Sequence, residues 1–471
     1  MISPTESTGG AAASAPYDPK RFDWPLAYPA EELMRRHVQN FLTKNSLARK
    51  LAARMRDETG TDFFEWVDHL VLAPNDEALL RATGFVSDAV EAASGDRVLH
   101  HPRATLPRVI LRAGREQNPS VVALRPECVT NFVARHNLSG EIEGEPFSQF
   151  RRALVNEENG ARLEAVERRA YRGFLTAPLK PGQLPALLKA KEMWHTRQRF
   201  FADDADGIAL ARRLLAQSFQ LVGRDQTCQI FFEAERAYWE NRNRAARIQK
   251  SRQDQLGLGW GNHDHHTFRS SRQFFVDLND FLLALGFEKR ERFYAGAEAG
   301  WGAQISEQSL VGITVFADVD LMPDETQLDF SSHRLPPAPR LGTVGLWTGL
   351  HGESFLGAGM HHLEARFDYQ RLREQLKAEG INTMNPFSDF EFLKQAFTEG
   401  ERWPVAREQA EKLLAAKLIT PEQFEKFVKE GALGSHLENL QRHGGFKGFN
   451  QKSVSAVIAA TDPRREHFAA A

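Results

Sequence analysis

The sequence predicts an α+β fold built from repeated strand–helix–strands modules, with an additional helical region between two halves. The chain has 471 residues, which is too long for one small core and indicates two or three core-forming units. A pattern of a short strand followed by an amphipathic helix recurs along the chain. Helical periodicity, in contrast, dominates residues 184–258. Repeated modules flanking a helical region follow from these observations.

Three segments share one pattern: residues 67–85, 264–287 and 361–381. Each opens with a histidine in a strand-like run and continues into a stretch with apolar residues at helical spacing. Each predicted helix stops at a glycine, where a left-handed C-cap is expected. The histidines are His69, His265 and His362, and the glycines are Gly84, Gly286 and Gly380. Residues 121–138 form a weaker fourth copy, in which Val121 stands at the position of the histidine.

The repeat divides the chain around the helical region. We expect an N-terminal half at 23–183, a helical linker or insertion at 184–258 and a C-terminal half at 259–455. Residues 1–22 are small and polar and carry proline and glycine, which predicts a disordered tail rather than a signal peptide. Residues 456–471 are predicted to form a C-terminal tail.

Composition excludes several classes of protein. Apolar residues make up 42% and charged residues 26%, as in ordinary globular proteins. The 62 acidic and 60 basic side chains nearly cancel, so no electrostatic argument favours nucleic acid or membrane. Only Cys128 and Cys228 occur, which leaves no disulfide framework and no cysteine-based zinc site. We therefore expect a cytoplasmic protein that acts on a small molecule, without nucleic-acid or membrane partners; a homo-oligomer stays open.

The most unusual stretch is "GWGNHDHHTFR", residues 259–269, which places three histidines and an aspartate within four positions. Its "GNHD", Gly261 to Asp264, matches a signature of calcineurin-like metallophosphoesterases. Those two-metal sites need carboxylates from earlier strands, and we find no upstream D-x-H or G-D-x-x-D and no downstream G-H-x-H. A metallophosphoesterase therefore stays an alternative of low weight.

A second interpretation comes from the repeat. Alternate side chains of an extended strand face the same way. One face of the second copy then carries His263, His265, Thr267 and Arg269, and one face of the third carries His362, Glu364 and Arg366. Two modules packed in pseudo-symmetry would bring His265 and His362 together, and a metal needs a further ligand from a later strand. Glu438 supplies the carboxylate of a set with two histidines, which suits Fe(II).

These motifs resemble the vicinal oxygen chelate superfamily. Residues 357–381, "GAGMHHLEARFDYQRLREQLKAEGI", and residues 437–451, "LENLQRHGGFKGFNQ", are similar to metal-ligand segments of 4-hydroxyphenylpyruvate dioxygenases. The H-x-x-x-R and E-x-x-Q-R elements also resemble the 2-oxoadipate dioxygenase/decarboxylase family. The resemblance implies tandem βαβββ modules that form cupped mixed sheets around one metal. It also implies that the N-terminal half is a degenerate, non-catalytic pair.

The resemblance further implies the roles of individual residues. The metal ligands would be His265, His362 and Glu438, with Fe(II) as the metal, although another divalent metal stays open. The catalytic residues would be Arg269 and Gln441, and the substrate-binding residues would be Arg269, Phe446, Phe449 and Asn450. Asp264 or Gln441 would orient the imidazoles, and His361 would point outward. His69, His263 and His266 are predicted to be structural.

The predicted function is that of a non-haem Fe(II) dioxygenase that oxidatively decarboxylates a 2-oxo acid, with dioxygen as the co-substrate. Two alternatives stay open: another metal-dependent enzyme of the superfamily, such as a ring-cleaving dioxygenase or an isomerase, and a metal-free binding or scaffold protein. The sequence also leaves two substrate classes open. Phe446 and Phe449 favour an aromatic 2-oxo acid, whereas Arg269 favours a dicarboxylic one.

Overall fold

A computed structural model describes residues 22–90, 92–93, 95–112, 120–450, 458–459 and 461–464. All but one residue of the predicted tail at 1–22 therefore lies outside the described residues. The described chain begins with two helices, α1 (Tyr28–Lys44) and α2 (Ser46–Arg54). Asn45 joins them: its carboxamide caps α2 by accepting a hydrogen bond from Ala48 N and donates to Ala161 O of the first sheet.

Two βαβββ modules form the first sheet. In chain order their elements are β1 (Val67–Leu72), α3 (Glu77–Ala82), β2 (Val86–Asp88), β3 (Arg97–His100), β4 (Arg108–Leu111), β5 (Ser120–Leu124), α4 (Val129–Arg135), β6 (Ile142–Glu143), β7 (Phe150–Glu158) and β8 (Ala161–Arg168). The strand order is β2-β3-β4-β1-β5-β8-β7-β6. In each module the first strand pairs in parallel with the last, and the modules meet along antiparallel β1 and β5. The weak fourth copy of the repeat is thus confirmed as the start of a module.

Four helices separate the two sheets in the sequence: α5 (Gln183–His195), α6 (Asp204–Val222), α7 (Arg224–Asn241) and α8 (Arg244–Asp254). The prediction of an additional helical region is confirmed. The core of these helices is continuous with that of the second sheet, because Phe231 and Phe232 of α7 pack against Phe268. The helices therefore cover one face of the second sheet.

The second sheet also consists of two modules. In chain order the elements are β9 (His263–Arg269), α9 (Phe275–Ala284), β10 (Glu288–Tyr294), β11 (Trp301–Gln308), β12 (Ile313–Asp320), α10 (Thr343–His351), β13 (His362–Arg366), α11 (Tyr369–Ala378), β14 (Ser388–Phe390), β15 (Leu393–Phe397), β16 (Glu401–Trp403), α12 (Arg407–Ala415), α13 (Pro421–Glu430) and β17 (Ala432–Arg442). The order is β10-β11-β12-β9-β13-β17-β15-β14, with β16 on β17. Helices α12 and α13 are inserted before the last strand.

The fold class predicted from the sequence is confirmed. Both sheets are mixed and curled, and each repeats the arrangement of the other. The three predicted helix-ending glycines have φ of +101° at Gly84, +89° at Gly286 and +73° at Gly380, as a left-handed C-cap requires. Within the part of the chain that the structure describes, no helix is both long and apolar enough to cross a membrane.

The end segments and the half boundaries stay predictions. Within the predicted C-terminal tail, the described residues Ile458 and Ala459 are buried in a cluster with Phe293 and Trp301 of the second sheet. The described part of this segment is therefore packed against the C-terminal half.

Candidate metal centre

The three predicted metal ligands lie on three neighbouring strands at the middle of the second sheet. His265 is on β9, His362 on β13 and Glu438 on β17, and β13 pairs with both of the other strands. All three side chains are buried, with 3%, 6% and 2% of their surface exposed. Glu438 lies on a strand because Gly431 ends α13 directly before β17 begins.

The structure brings these side chains together. His362 Nε2 lies 3.0 Å and His265 Nε2 lies 3.7 Å from Glu438 Oε2. One ligand atom from each residue falls within 4.8 Å of the other two. The Thr267 hydroxyl lies 2.8 Å from His362 Nε2 and completes the polar face of the group.

The electrostatics of the group fit a cation. Burial, and then the carboxylate of Glu364, raise the pKa of Glu438 well above its usual value. Burial, and then the charge of His265, hold the pKa of His362 well below its usual value, so this imidazole is neutral and can donate a lone pair. Among the described residues, no lysine or arginine lies within 4.0 Å of the Glu438 carboxylate. A divalent metal would supply the missing positive charge.

Glu364 holds the other side of the His265 ring. Its carboxylate contacts His265 Nδ1, and Gln395 Nε2 donates to Glu364 at 2.8 Å and to Glu438 at 3.1 Å. Burial by itself lowers the pKa of His265, but Glu364 and Asp264 more than offset it, and the pKa lies above its usual value. A carboxylate on Nδ1 fixes the tautomer and leaves Nε2 for a metal.

A second acidic group, formed by Asp264, His265 and Glu364, also has metal-ligand spacing. Arg442 already lies 3.4 Å from Asp264 and 3.9 Å from Glu364, and Arg366 lies 3.8 Å from Asp264. Guanidinium groups therefore neutralise the Nδ1 side of His265, whereas the Nε2 side has none. The candidate metal position is on the Nε2 side.

The prediction that His361 points outward is wrong. Its side chain is 1% exposed, and His361 Nδ1 lies 2.8 Å from His362 Nδ1. Two neutral imidazoles at this distance need one N–H donor. With His362 as the donor, its Nε2 carries the lone pair that faces Glu438.

The prediction that His263 shares the face of His265 is also wrong. The pairing of β9 with β13 is irregular between these residues: Leu363 pairs with His266, but Ala365 pairs with His263. Such a bulge shifts side-chain alternation by one position. The ring of His263 accordingly lies 5.3 Å from that of His266, on the side of α7.

A cavity of about 50 Å³ opens beside the three candidate ligands. Its walls are mainly aromatic, with some polar side chains. Among the described residues the lining comprises His265, Thr267, Phe293, Trp301, Phe316, Asp318, His362, Phe387, Gln395, Phe397, Glu438, Phe449, Asn450 and Ile458. The predicted substrate residues Phe449 and Asn450 thus reach the cavity. Phe446 does not; it packs on Phe392, 4.9 Å between ring centres.

Arg269 is buried beside the cavity but is not among its lining residues. Its guanidinium lies 4.0 Å from the carboxylate of Asp318, on the neighbouring strand β12, and 5.5 Å from the ring centre of Trp347. Burial raises the pKa of Asp318 to about 7, although Arg269 and His265 oppose this shift. The polar group that this wall presents is therefore Asp318.

We expect Asp318 to leave a signature in the pH dependence of the metal-free protein. Because its pKa of about 7 exceeds the unfolded value of 3.8, the folded state keeps a proton that the unfolded state has lost between these pH values. Stability therefore falls as pH rises through this window, by up to about 1.4 kcal/mol per pH unit. Urea unfolding at several pH values should show this component in the wild type and not in Asp318→Asn. Parallel pH profiles would contradict the assignment.

Gln441 does not reach the cavity. Glu438 and Arg442 have the same strand parity, and Gln441 has the opposite one. Its Oε1 accepts a hydrogen bond from Tyr369 N at the start of α11, and its Nε2 lies 2.7 Å from His443 Nε2. The structure gives Gln441 a local structural contact in place of the predicted catalytic one. Asp264, the other residue predicted to orient an imidazole, lies 3.5 Å from His265 Nδ1.

The residues that sequence reasoning missed are Glu364, Gln395 and Asp318. For Glu364 a signal existed, since it stands two positions after His362 and so has the same strand parity. Nothing in the local sequence marks Gln395 or Asp318, which reach the site only through the pairing of β15 with β17 and of β12 with β9.

The first sheet has no matching centre among its described residues. His69 stands on β1 as His265 does on β9, but its Nδ1 lies 2.7 Å from Asp68, which Arg168 also binds. The ring of Phe174 packs against His69, 4.8 Å between ring centres. This agrees with the structural role predicted for His69.

The strand order decides the fold. Four βαβββ modules, joined in pairs along their first strands, form the arrangement that the sequence resemblance implies. The chain has the vicinal oxygen chelate fold. No family model and no curated protein matches the chain.

Solved structures with a similar fold include three with low overall scores. A protein described as a glyoxalase superfamily protein of Ralstonia eutropha JMP134 is 13% identical, with 56% of this chain and 96% of its own covered and a TM-score of 0.35. A mutant of 4-hydroxymandelate synthase from Streptomyces coelicolor is 15% identical, with 86% and 99% covered and a TM-score of 0.29. Methylmalonyl-CoA epimerase from Mycobacterium tuberculosis is 11% identical, with 39% and 88% covered and a TM-score of 0.21. At such scores the fold is established by the strand order of the chain itself.

We expect Glu364→Gln to weaken metal binding by about 10–100-fold, because the amide no longer holds the proton on His265 Nδ1 as a carboxylate does. Anaerobic Fe(II) titration measures this effect. Glu291→Gln is a matched control: Glu291 is equally buried in the same sheet, but its partner is Arg290 rather than a histidine. Equal metal affinity in Glu364→Gln and the wild type would contradict this role.

Proposed function

We propose that the protein is a non-haem Fe(II) dioxygenase that oxidatively decarboxylates a 2-oxo acid. The observation that carries the proposal is the convergence of His265 Nε2, His362 Nε2 and the Glu438 carboxylate beside a buried aromatic cavity. Two imidazoles and one carboxylate are a donor set typical of Fe(II) oxygenases. The same residue types also bind other divalent metals, so the metal is part of the proposal.

When bound, Fe(II) supplies the open coordination positions at which a 2-oxo acid and dioxygen react with loss of CO2. The protein's own side chains prepare this site. Glu364 holds the proton of His265 on Nδ1, and His361 accepts that of His362 on its Nδ1. Gln395 restrains the carboxylates of Glu364 and Glu438 with one amide group.

The aromatic walls exclude water from the cavity and favour an aromatic substrate. Rings of Phe316 and Phe449 lie 4.4 and 5.4 Å from the His265 ring, and Phe397 lies 5.1 Å from His362. A carboxylate, Asp318, stands on the wall where a dicarboxylic substrate would need a cation. We therefore propose an aromatic 2-oxo acid. A cavity of about 50 Å³ has room for a metal and a water, so Phe449 moves when substrate enters.

The test is oxygen uptake by protein reconstituted with Fe(II) under anaerobic conditions. Aromatic and dicarboxylic 2-oxo acids are added in turn, and CO2 release is measured with oxygen uptake. We expect equal amounts of both with an aromatic member of the panel and neither with His265→Ala. Tight metal binding without oxygen uptake would favour an isomerase of the same fold, and an absence of metal binding would favour a scaffold.

The "GNHD" match finds no support in the structure. The Asn262 side chain donates to Arg366 O at 2.9 Å and is engaged within the fold. We therefore do not propose phosphoesterase activity.

A further inference from the structure

A second and much larger cleft, of about 630 Å³, lies between the two sheets. Both halves contribute to it: Arg108, Arg125 and Arg168 come from the first sheet, and Arg366 and Arg442 from the second. Small-molecule sites commonly have volumes of about 300–1,000 Å³. The volume of the cleft therefore suits a ligand of ordinary metabolite size.

The walls of this cleft are strongly cationic. Among its described lining residues, ten are arginine or lysine and five are aspartate or glutamate. The carboxylates on the walls are largely engaged already: Glu31 pairs with Arg35 at 2.6 Å, and Glu307 pairs with Lys447 at 2.9 Å. An excess of positive charge is left over in the cleft.

Asp68 is the carboxylate nearest the crowded end of the cleft, and its hydrogen-bonding capacity is taken. It accepts two hydrogen bonds from Arg168, at 2.8 and 2.9 Å, and lies 2.7 Å from His69 Nδ1. Asp68 therefore cannot also pair closely with the arginines on the strands that flank β1.

Those flanking residues are Arg108 on β4 and Arg125 directly after β5. Neither has a carboxylate within 4.0 Å in the described part of the chain. Arg108 donates only to the carbonyl of Arg172 and lies 4.4 Å over the ring of Phe174, and Arg125 has no side-chain hydrogen bond to a described residue. Burial, and then the neighbouring guanidinium of Arg168, lower the pKa of Arg108 to about 10. Unpaired, crowded cations are unfavourable unless an anion neutralises them.

Two further groups point to a ligand at this position. His263 lines the cleft, and its Nδ1 is buried without a hydrogen-bond partner among the described residues. Arg366 approaches Glu65 and Asp264 only at 3.5 and 3.8 Å, and its Nε is likewise buried without a hydrogen bond. Donors from both sheets thus remain available around Arg125.

We propose that the cleft between the two sheets is a binding site for a multivalent oxyanion, with Arg125 as its central contact and Arg108 and Arg366 beside it. Phosphate groups and clustered carboxylates share this chemistry, because guanidinium groups bind both in bidentate geometry. The site is separate from the candidate metal centre and does not depend on the proposed oxygenase activity. It also gives a role to His263, the residue of the histidine-rich stretch that the metal centre does not use.

The test uses the full chain, with pyrophosphate and citrate as probes in buffers brought to equal ionic strength with sodium chloride. Calorimetry should show saturable binding of at least one probe, and that probe should raise the thermal unfolding temperature. We expect Arg125→Gln to weaken binding by about tenfold or more. Arg97→Gln is the matched control, since Arg97 is an exposed arginine of the same half that lies outside the cleft. Its affinity should stay within about twofold of the wild type.

The unfolding temperature without the probe separates binding from folding. A structural role for Arg125 would lower this temperature in Arg125→Gln, whereas an unpaired cation predicts an unchanged or raised value in chloride buffer. Arg108→Gln, which should also weaken binding, provides a second variant if Arg125→Gln does not fold. Preference for pyrophosphate identifies the ligand as a phosphate compound, and preference for citrate identifies a polycarboxylate. An absence of saturable binding of either probe, or equal affinity in Arg125→Gln and the wild type, would overturn the proposal.

Discussion

His362→Ala should abolish tight Fe(II) binding and with it any oxygen uptake. His362 Nε2 lies 3.0 Å from Glu438 Oε2, at the centre of the three candidate ligands. Loss of a partner that only orients a ligand costs about 10–100-fold in metal affinity, so loss of a ligand should cost more than about 100-fold. Equilibrium titration with Fe(II) under anaerobic conditions measures the change.

His69→Ala is the matched control for this experiment. His69 stands on the first strand of the first module, as His362 does in the last, and both are buried. His69 has Asp68 and not a second histidine beside it, so its loss should leave metal affinity unchanged. Wild-type affinity in His362→Ala, with circular dichroism that shows an intact fold, would remove the residue from the centre.

Glu235→Ala should destabilise the protein by about 3–5 kcal/mol, because it leaves two buried arginines without their carboxylate. Glu235 lies on α7 and is fully buried; Arg199 donates to it at 2.7 and 3.2 Å, and Arg197 at 3.0 Å. The same arginines donate to the carbonyls of Phe355 and Leu356, which lie shortly before β13. The helical region thus braces the segment that leads to His362. Urea unfolding of the metal-free protein measures the loss.

Glu233→Ala provides the comparison. Glu233 is on the same helix but is 16% exposed, and it pairs with Arg169 and Lys191 at 3.1 and 3.5 Å, so its loss should cost about 1 kcal/mol or less. Although burial opposes them, Arg199 and Arg197 hold the pKa of Glu235 below its usual value of 4.5. This contribution to stability is therefore present above pH 4.5 and is lost as pH falls through the lowered pKa. Similar unfolding free energies for the two variants would show that the pair of arginines does not depend on Glu235.

Much of the fold could be predicted because each module repeats one local pattern. A strand with a histidine, a helix of regular spacing and a terminal glycine are all local features, and they located three of the four modules. The fourth had lost its histidine at Val121 but kept the strand and the helix. The two histidines of the centre follow from the same repeat, because the first strands of paired modules are neighbours in the sheet.

The remaining errors come from features that no local pattern specifies. The irregular pairing of β9 with β13 turns His263 away from His265, and strand alternation alone cannot reveal it. Gln441 is turned towards α11 by the register of β17, and Arg269 is buried beside Asp318, a residue on another strand. Glu364, which contacts His265, was within reach of strand alternation and shows that the same rule was applied too narrowly.

The central claim is that one Fe(II) is held on the Nε2 side of His265 by His362 and Glu438. Crystals of the protein loaded with Fe(II) under anaerobic conditions, with diffraction measured at the iron absorption edge, test it most directly. We expect one anomalous peak per chain within coordination distance of His265 Nε2, His362 Nε2 and the Glu438 carboxylate. A peak on the Nδ1 side of His265, between Asp264 and Glu364, or the absence of a peak in protein shown to be folded, would contradict the assignment.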